Sequence, residues 1–148
     1  MGSRQAKTDA SAHAQSNAPA AGVSPPTGST TARVVAIDEL PCVDNAYELE
    51  GHLFGDAPLS IILVDAPPGG GPALHCHPYP EVFIVHEGSA IYTVGDATLE
   101  VTAGQIVVAP ANVPHTFVNS GDGPLRQTDI HANDRFVTEW LVEGGRVG

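Results

Sequence analysis

The sequence GGGPALHCHPYPEVFIVHEG, residues 69–88, places two histidines and a glutamate within seven residues of one another. Successive side chains of a strand point to opposite faces, so His75 and His77 can direct both imidazoles to one side while Cys76 faces away. Two prolines then interrupt the run, and Glu81 opens a second apolar strand, which allows its carboxylate to return to that same side. The pattern predicts a metal site.

A further isolated histidine, His115, lies in GQIVVAPANVPHTFVN, residues 104–119, just before another apolar strand. We interpret it as a fourth ligand. Imidazole and carboxylate ligands suit Fe, Mn, Ni, Co, Zn or Cu ions, so the identity of the divalent metal stays open. An ion that accepts six ligands would keep two positions for water, dioxygen or a chelating substrate, which is typical of a catalytic site.

The same residues resemble the two signature motifs of the cupin superfamily. Every defining position of the first motif is filled, by Gly69, His75, His77, Glu81 and Gly88. The second motif is filled by Gly104, Pro110, His115 and Asn119. It departs from the family at Asn112, where glycine is usual, but asparagine tolerates the left-handed conformation better than other non-glycine residues.

The resemblance implies a small single-domain metal-binding cupin. Its fold would be all-β, an antiparallel double-stranded β-helix of the cupin jelly-roll type. The metal would be held inside the barrel by His75, His77, Glu81 and His115.

Short β-rich runs between turn residues independently predict ten or eleven strands in a sandwich or closed barrel, without helical periodicity. The predicted strands are Arg33–Leu40, Tyr47–Gly55, Leu59–Pro67, Ala73–His77, Glu81–Glu87, Ser89–Val94, Thr98–Val101, Gln105–Val108, His115–Asn119, Leu125–Ala132 and Arg135–Leu141. A glycine-first hairpin turn is expected at Gly95-Asp96. Residues 1–31, rich in Ala, Ser, Pro and Thr, are predicted to be a disordered tail preceding one barrel domain over 32–148.

Charge and composition narrow the possible partners. The chain has 148 residues, 42% of them hydrophobic, and a formal net charge of −11. From Arg33 onward it contains four arginines and no lysine, which excludes nucleic acid and argues against substrates with phosphates or several carboxylates. Two cysteines and no signal or membrane segment predict a cytoplasmic protein without a membrane partner.

Other histidines and the aromatic residues receive weaker assignments. His13 is expected to be solvated, and His86, of opposite strand parity to Glu81, should point outward. The role of His52 stays open. It is also open whether the side chains of Gln127, Asp129 and His131 face the interior near the ion or point to the outside of the barrel. The aromatic residues expected to form apolar walls are Phe83, Tyr92, Phe117 and Trp140.

Several functions fit these features. The first is a metal-dependent oxidoreductase, a dioxygenase-like Fe(II)-type oxygenase of a small oxygen-chelating substrate, with Glu81 as the catalytic proton acceptor. A redox-silent isomerase, cyclase or lyase and a non-catalytic small-molecule-binding module are alternatives, whereas a purely structural site is disfavoured. We also expect a homodimer, formed through the predicted strand Arg33–Leu40 or the His86 face.

Overall fold

The computed structural model describes residues 31–142 and 145–147, so the predicted disordered tail, including His13, lies outside the described residues apart from Thr31. In these ranges the helical segments are two 3₁₀ turns, Ile37–Glu39 and Gly51–Leu53. No helix in the described part of the chain is both long enough and apolar enough to cross a membrane.

The described residues form twelve strands. They are β1 (Cys42–Val43), β2 (Ala46–Glu50), β3 (Ser60–Ala66), β4 (His75–Cys76), β5 (Glu81–Glu87), β6 (Ser89–Val94), β7 (Ala97–Thr102), β8 (Ile106–Ala109), β9 (His115–Asn119), β10 (Leu125–His131), β11 (Glu139–Val142) and β12 (Gly145–Val147).

The strands pair into two six-stranded sheets. The first sheet has the order β1-β2-β3-β10-β5-β8 and the second the order β12-β11-β4-β9-β6-β7. All strand pairs are antiparallel. This is the predicted all-β jelly-roll architecture, in which side chains alternate between an enclosed interior and the outside.

The apolar core fills one end of the space between the sheets. Phe83, Tyr92 and Leu125 are almost completely buried there, together with small and branched side chains from β3, β5, β6, β7 and β8. Phe83 contacts Tyr92 and Phe117 edge-to-face, with ring centroids 5.2 Å and 6.1 Å apart. It also lies 5.7 Å from the His115 ring, so it joins the core to the polar end of the barrel.

Positive backbone angles occur where the two motifs turn. Gly88 joins β5 to β6 with a φ of 87°, and a Cβ atom there would approach the Pro124 carbonyl oxygen to 2.5 Å. Asn112 takes a φ of 63°, which confirms that asparagine can occupy the position where glycine is usual. Its backbone N–H donates to the His77 carbonyl over 2.7 Å, which ties the second motif to the first.

The predicted strand Arg33–Leu40 is wrong. The segment contains a 3₁₀ turn in which the Glu39 and Leu40 N–H groups donate to the carbonyls of Ala36 and Ile37. Its β-branched residues are largely exposed, Val34 to 97%. A high β propensity produces a strand only when a neighbouring strand supplies hydrogen-bond partners, and the edge of the first sheet is already formed by β1.

Three other predicted strands are too long. The run Ala73–His77 is a strand only over His75–Cys76. The run Tyr47–Gly55 ends as a strand at Glu50, because residues 51–53 turn into the second 3₁₀ segment. The run Arg135–Leu141 begins as a strand only at Glu139. Before that point the backbone bonds to side chains instead, since Phe136 N–H donates to Glu50 and Val137 N–H donates to the Tyr79 hydroxyl.

Candidate metal centre

The polar end of the barrel is built from two cross-strand pairs, one in each sheet. In the first sheet His131 of β10 lies directly opposite Glu81 of β5. In the second sheet His75 of β4 lies directly opposite His115 of β9. Directly opposed side chains on one face are about 5 Å apart at Cβ, so the register of each sheet brings one pair into contact range.

His77 joins these pairs from the turn that follows β4. Its ring centroid lies 4.9 Å from that of His75, 5.2 Å from that of His115 and 4.7 Å from that of His131. All four predicted ligands, His75, His77, Glu81 and His115, are buried, and their ligand atoms lie within 4.8 Å of one another. The structure therefore brings together the whole predicted set.

Backbone carbonyls fix the tautomers of the three histidines among the predicted ligands, His75, His77 and His115. Nδ1 of His75 donates to the Ala73 carbonyl over 2.7 Å, and Nδ1 of His115 donates to the Val113 carbonyl over 2.9 Å. Nδ1 of His77 donates to the Val137 carbonyl over 2.8 Å. A carbonyl only accepts hydrogen bonds, so each Nδ1 carries a proton, and Nε2 is the nitrogen left to face an ion. Burial acts to lower the pKa of His115, but the hydrogen bond that its Nε2–H donates to Glu81 Oε2 over 2.8 Å outweighs burial and raises that pKa. A metal ion at the cluster would take the place of that proton.

The protonation preferences agree with this role. Burial lowers the pKa of His75 to about 4, so this imidazole is neutral at pH 7. Burial acts to raise the pKa of the Glu81 carboxyl, but the contacts with His115, His131 and His77 outweigh it and hold that pKa well below its usual range. Glu81 is consequently an anion at neutral pH.

The donor set fits a cation. Glu81 Oε2 lies 3.0 Å from Nε2 of His77 and 2.8 Å from Nε2 of His115. The His77 contact lacks the geometry of a hydrogen bond, which leaves a buried Nε2 without a partner among the described residues. Buried lone pairs and a carboxylate that face one another without enough protons are costly, and a divalent ion would satisfy them together.

His131 is held in the opposite tautomer. The Val137 N–H donates to the Tyr79 hydroxyl over 3.0 Å, which directs the hydroxyl hydrogen at His131 Nδ1, 3.1 Å away. The proton of the neutral His131 ring is then on Nε2, which lies 3.0 Å from Glu81 Oε1. His131 thus faces one carboxylate oxygen of Glu81, while the other oxygen faces His77 and His115.

This arrangement settles the question that the sequence left open for β10. Gln127, Asp129 and His131 all face the interior. The Tyr92 hydroxyl donates to Gln127, whose amide donates to Asp129 over 2.7 Å. Burial and the nearby Glu81 charge raise the pKa of Asp129 well above its usual range.

The remaining histidines of the described residues lie outside the cluster. His86 is exposed and contacts the Thr128 hydroxyl over 2.8 Å, as its outward strand parity predicts. His52 contacts the Asp134 carbonyl over 2.9 Å and takes no part in the site. The role of Tyr79 could not be recognised, because it lies between two prolines in a segment that the sequence marks only as a break.

A cavity of about 860 Å³ opens directly from the cluster. His75, His77, Glu81 and His131 contribute to its lining, and so do apolar side chains of β3, β5 and β9. Trp140, directly opposite His75 in the sheet, also lines it, with ring centroids 5.0 Å apart. The predicted walls Phe83, Phe117 and Trp140 face the cavity, whereas Tyr92 is part of the buried core.

Comparison with known proteins agrees with this geometry. A family model described as a cupin domain matches residues 62–131. No curated protein matches this sequence.

Solved structures share the fold. An oxalate oxidase in complex with the substrate analogue glycolate superposes with a TM-score of 0.59 at 20% identity, over 66% of this chain and 56% of that chain. The formate complex of the Lactobacillus farciminis oxalate decarboxylase gives 0.62 at 24% identity, over 70% of this chain and 34% of that chain. The Bacillus subtilis oxalate decarboxylase, studied for its Mn(II) centres, gives a TM-score of 0.60 at 27% identity, over 65% of this chain and 27% of that chain. This chain therefore spans about half or less of the length of the chains it resembles.

We predict that His75→Ala and Glu81→Ala each abolish metal binding. Elemental analysis of protein purified without added metal should find about one transition-metal ion per wild-type chain and less than about a tenth of that in either variant, because each substitution removes a ligand. His86→Ala is the matched control, since it removes an exposed histidine from the same strand as Glu81. Full metal content in both site variants would contradict the assignment.

We also predict that Tyr79→Phe weakens metal binding by about tenfold or more, because the variant loses the hydroxyl that orients His131 against Glu81. Competition with a chromophoric chelator measures the affinity. Tyr47→Phe, on the outer side of β2, removes a hydroxyl away from the cavity and should leave the affinity unchanged. Equal affinities in all three proteins would show that Tyr79 does not position the site.

Proposed function

This chain belongs to the cupin superfamily, and from that premise we propose that it is a metal-dependent enzyme, an Fe(II)-type oxygenase of a small organic substrate that chelates through oxygen atoms. The observation that carries the proposal is the convergence of His75, His77, Glu81 and His115 beside a cavity of about 860 Å³. The first three of these residues line that cavity. That volume is within the range of small-molecule sites.

Different side chains of the site would bind the ion and shield the reaction from water. His75, His77 and His115 would hold the ion through Nε2, which their backbone hydrogen bonds leave available. A bound ion of this type would supply Lewis acidity toward substrate oxygens and a path for electrons from the substrate to dioxygen. The aromatic side chains of Phe83, Phe117 and Trp140 would exclude water from the reacting end of the cavity.

Glu81 is the group that we assign to proton transfer. It is anionic at neutral pH, and its Oε2 faces the histidines while its Oε1 faces His131. In this proposal Glu81 accepts a proton from the bound substrate, while His131 packs against the carboxylate with Nε2 3.0 Å from Oε1.

A second reaction class has some support. The structural neighbours include oxalate decarboxylases, one of them studied for its Mn(II) centres. Decarboxylation is a bond cleavage without net consumption of an oxidant, so these neighbours favour cleavage or isomerisation in which dioxygen is not used up. Turnover of a substrate under anaerobic conditions would identify that class, whereas recovery of an unchanged, tightly bound ligand would identify a binding protein.

We predict oxygen consumption by the iron-loaded protein with at least one member of a panel of enols, vicinal diols and 1,3-diketones, followed with an oxygen electrode. Compared at equal bound iron, Glu81→Gln should lower the rate by about 100-fold or more, the scale of a lost general base. His86→Gln is the control for an exposed amide substitution and should keep the wild-type rate. Full iron loading without oxygen uptake on any of these compounds would refute the oxygenase proposal.

We further propose that the chain forms a homodimer through the outer face of the first sheet, which is also the His86 face. Strand registers align two uncharged rows there, which are Leu49, Ile61, Ile130, Val82 and Val108, and Tyr47, Leu63, Thr128, Ile84 and Ile106. Ile106 and Val108 are 62% and 58% exposed. In a chain of net charge −11, two copies would meet with least repulsion at such an uncharged face.

We predict that the double substitution Ile106→Lys and Val108→Lys converts a dimer into a monomer, as measured by light scattering coupled to size-exclusion chromatography. Each copy would bring two charges to the centre of the contact without hydrogen-bonding partners. Val34→Lys, at an exposed position outside the sheet, should leave the dimer intact. A wild-type protein that is monomeric at about 100 μM would refute this interface, since a specific dimer has micromolar or tighter affinity.

A further inference from the structure

The cavity beside the cluster is strongly biased in charge. The described residues that line it include the acidic side chains Asp44, Glu48 and Glu81, and neither lysine nor arginine. Asp129 also lines it, but burial and the Glu81 charge raise the pKa of Asp129, which favours its neutral form. An anionic ligand in a partly enclosed cavity needs a positive group to replace the water that it loses. Apart from an ion at the cluster, the described lining offers none.

The arginines whose side chains the structure describes all make contacts outside the cavity. Arg33 lies over the Phe54 ring, 4.7 Å from its centroid. Arg126 pairs on the outside with Asp65 and Glu87, at 3.3 Å and 2.9 Å. Arg135 lies 3.4 Å from the neighbouring Asp134 and is largely exposed. None of the three lines the cavity.

Glu48 is the acidic group best placed to meet a ligand. On β2 it alternates with Tyr47 and Leu49, which point outward, so its carboxylate faces the cavity. It is half-buried, where burial and the neighbouring Glu50 raise its pKa, and no hydrogen bond or ion pair from a described residue engages its carboxylate. A carboxylate partly removed from water without a donor is stabilised by a ligand that brings one.

A second unpartnered group lies at the metal end. His131 is 2% exposed and lines the cavity. Its Nε2 has no hydrogen-bond partner among the described residues, since its 3.0 Å contact with Glu81 lacks the required geometry. Because Tyr79 leaves the proton on Nε2, this atom is a buried donor that would suit a ligand oxygen. The cavity therefore offers a donor near the cluster and an acceptor at Glu48.

We propose that the cavity selects a small organic molecule with oxygen acceptors at the metal end and a cationic or neutral hydrogen-bond donor at the Glu48 end, and that it rejects dicarboxylates such as oxalate. The inference rests on the proposed function only in assuming an ion at the cluster. The proposed ligand differs from that of the structural neighbours, which are named for activity on oxalate. The negative charge of the cavity would disfavour oxalate in this chain.

The test uses three catechols that share a chelating head and differ in the charge of the tail: dopamine, 4-methylcatechol and 3,4-dihydroxyphenylacetate. Oxalate is the fourth probe. Each is titrated under nitrogen at pH 7 into the Co(II)-loaded full chain, whose visible spectrum reports changes at the ion. Dopamine should bind about tenfold or more tighter than 3,4-dihydroxyphenylacetate, with 4-methylcatechol between them and oxalate weakest.

Variants assign the preference to one residue. Glu48→Gln keeps the size of the side chain and should reduce the advantage of dopamine over 3,4-dihydroxyphenylacetate to about threefold or less. Glu100→Gln removes the same charge from an exposed position on β7 and should preserve the full ratio. A ratio that is unchanged in Glu48→Gln would overturn the assignment.

The outcomes distinguish the two proposals. If the chain binds Co(II) in stoichiometric amount but takes oxalate or 3,4-dihydroxyphenylacetate as tightly as dopamine, the inference about ligand charge is wrong and the metal site stands. If no Co(II) binds, the proposed metal-dependent function is itself refuted.

Discussion

The hydrogen bonds from imidazole Nδ1 to backbone carbonyls are the constraint on which the site depends. Two of the carbonyls, those of Ala73 and Val113, lie two residues before the histidine that they bind. The third belongs to Val137, sixty residues beyond His77. An imidazole whose tautomer and rotation are both fixed loses little freedom on binding an ion, so these bonds preorganise the lone pairs that a metal requires.

The fold supplies this preorganisation through strand register. Because Glu81 is opposite His131 and His75 is opposite His115, a shift of one residue in either sheet would turn the affected side chains toward the outer face. The apolar core beside the cluster maintains the register, and Phe83 contacts both the core and His115. The metal end of the barrel is therefore positioned by packing at the other end.

Much of this arrangement could be predicted from local sequence. Strand alternation places His75 and Glu81 inward and His86 outward, and the strands Glu81–Glu87, Ser89–Val94 and His115–Asn119 have the expected bounds. The sequence could not decide which side chains of β10 point inward, because it shows alternation without showing which face of the strand meets Glu81. Long-range register supplies that information.

The failures have a related cause. Arg33–Leu40 has the β propensity of a strand, but propensity does not reveal whether a partner strand is available. Phe136 and Val137 were included in a predicted strand, yet their N–H groups bond to Glu50 and Tyr79. Their β-like composition could not indicate this, since the competing partners lie 86 and 58 residues away in the chain.

The acidity of the chain connects the metal centre with its cavity. Glu81 is costly to bury as an anion, and the imidazoles around it offset part of that cost while a bound cation would offset more. Glu48 and Asp44 add negative charge on the same cavity wall. Two unit charges 4 Å apart interact by about 4 kcal/mol at an effective dielectric constant of about 20, so each additional carboxylate favours a cation and opposes an anion. One distribution of charge thereby promotes metal binding and restricts which ligands can follow the metal into the cavity.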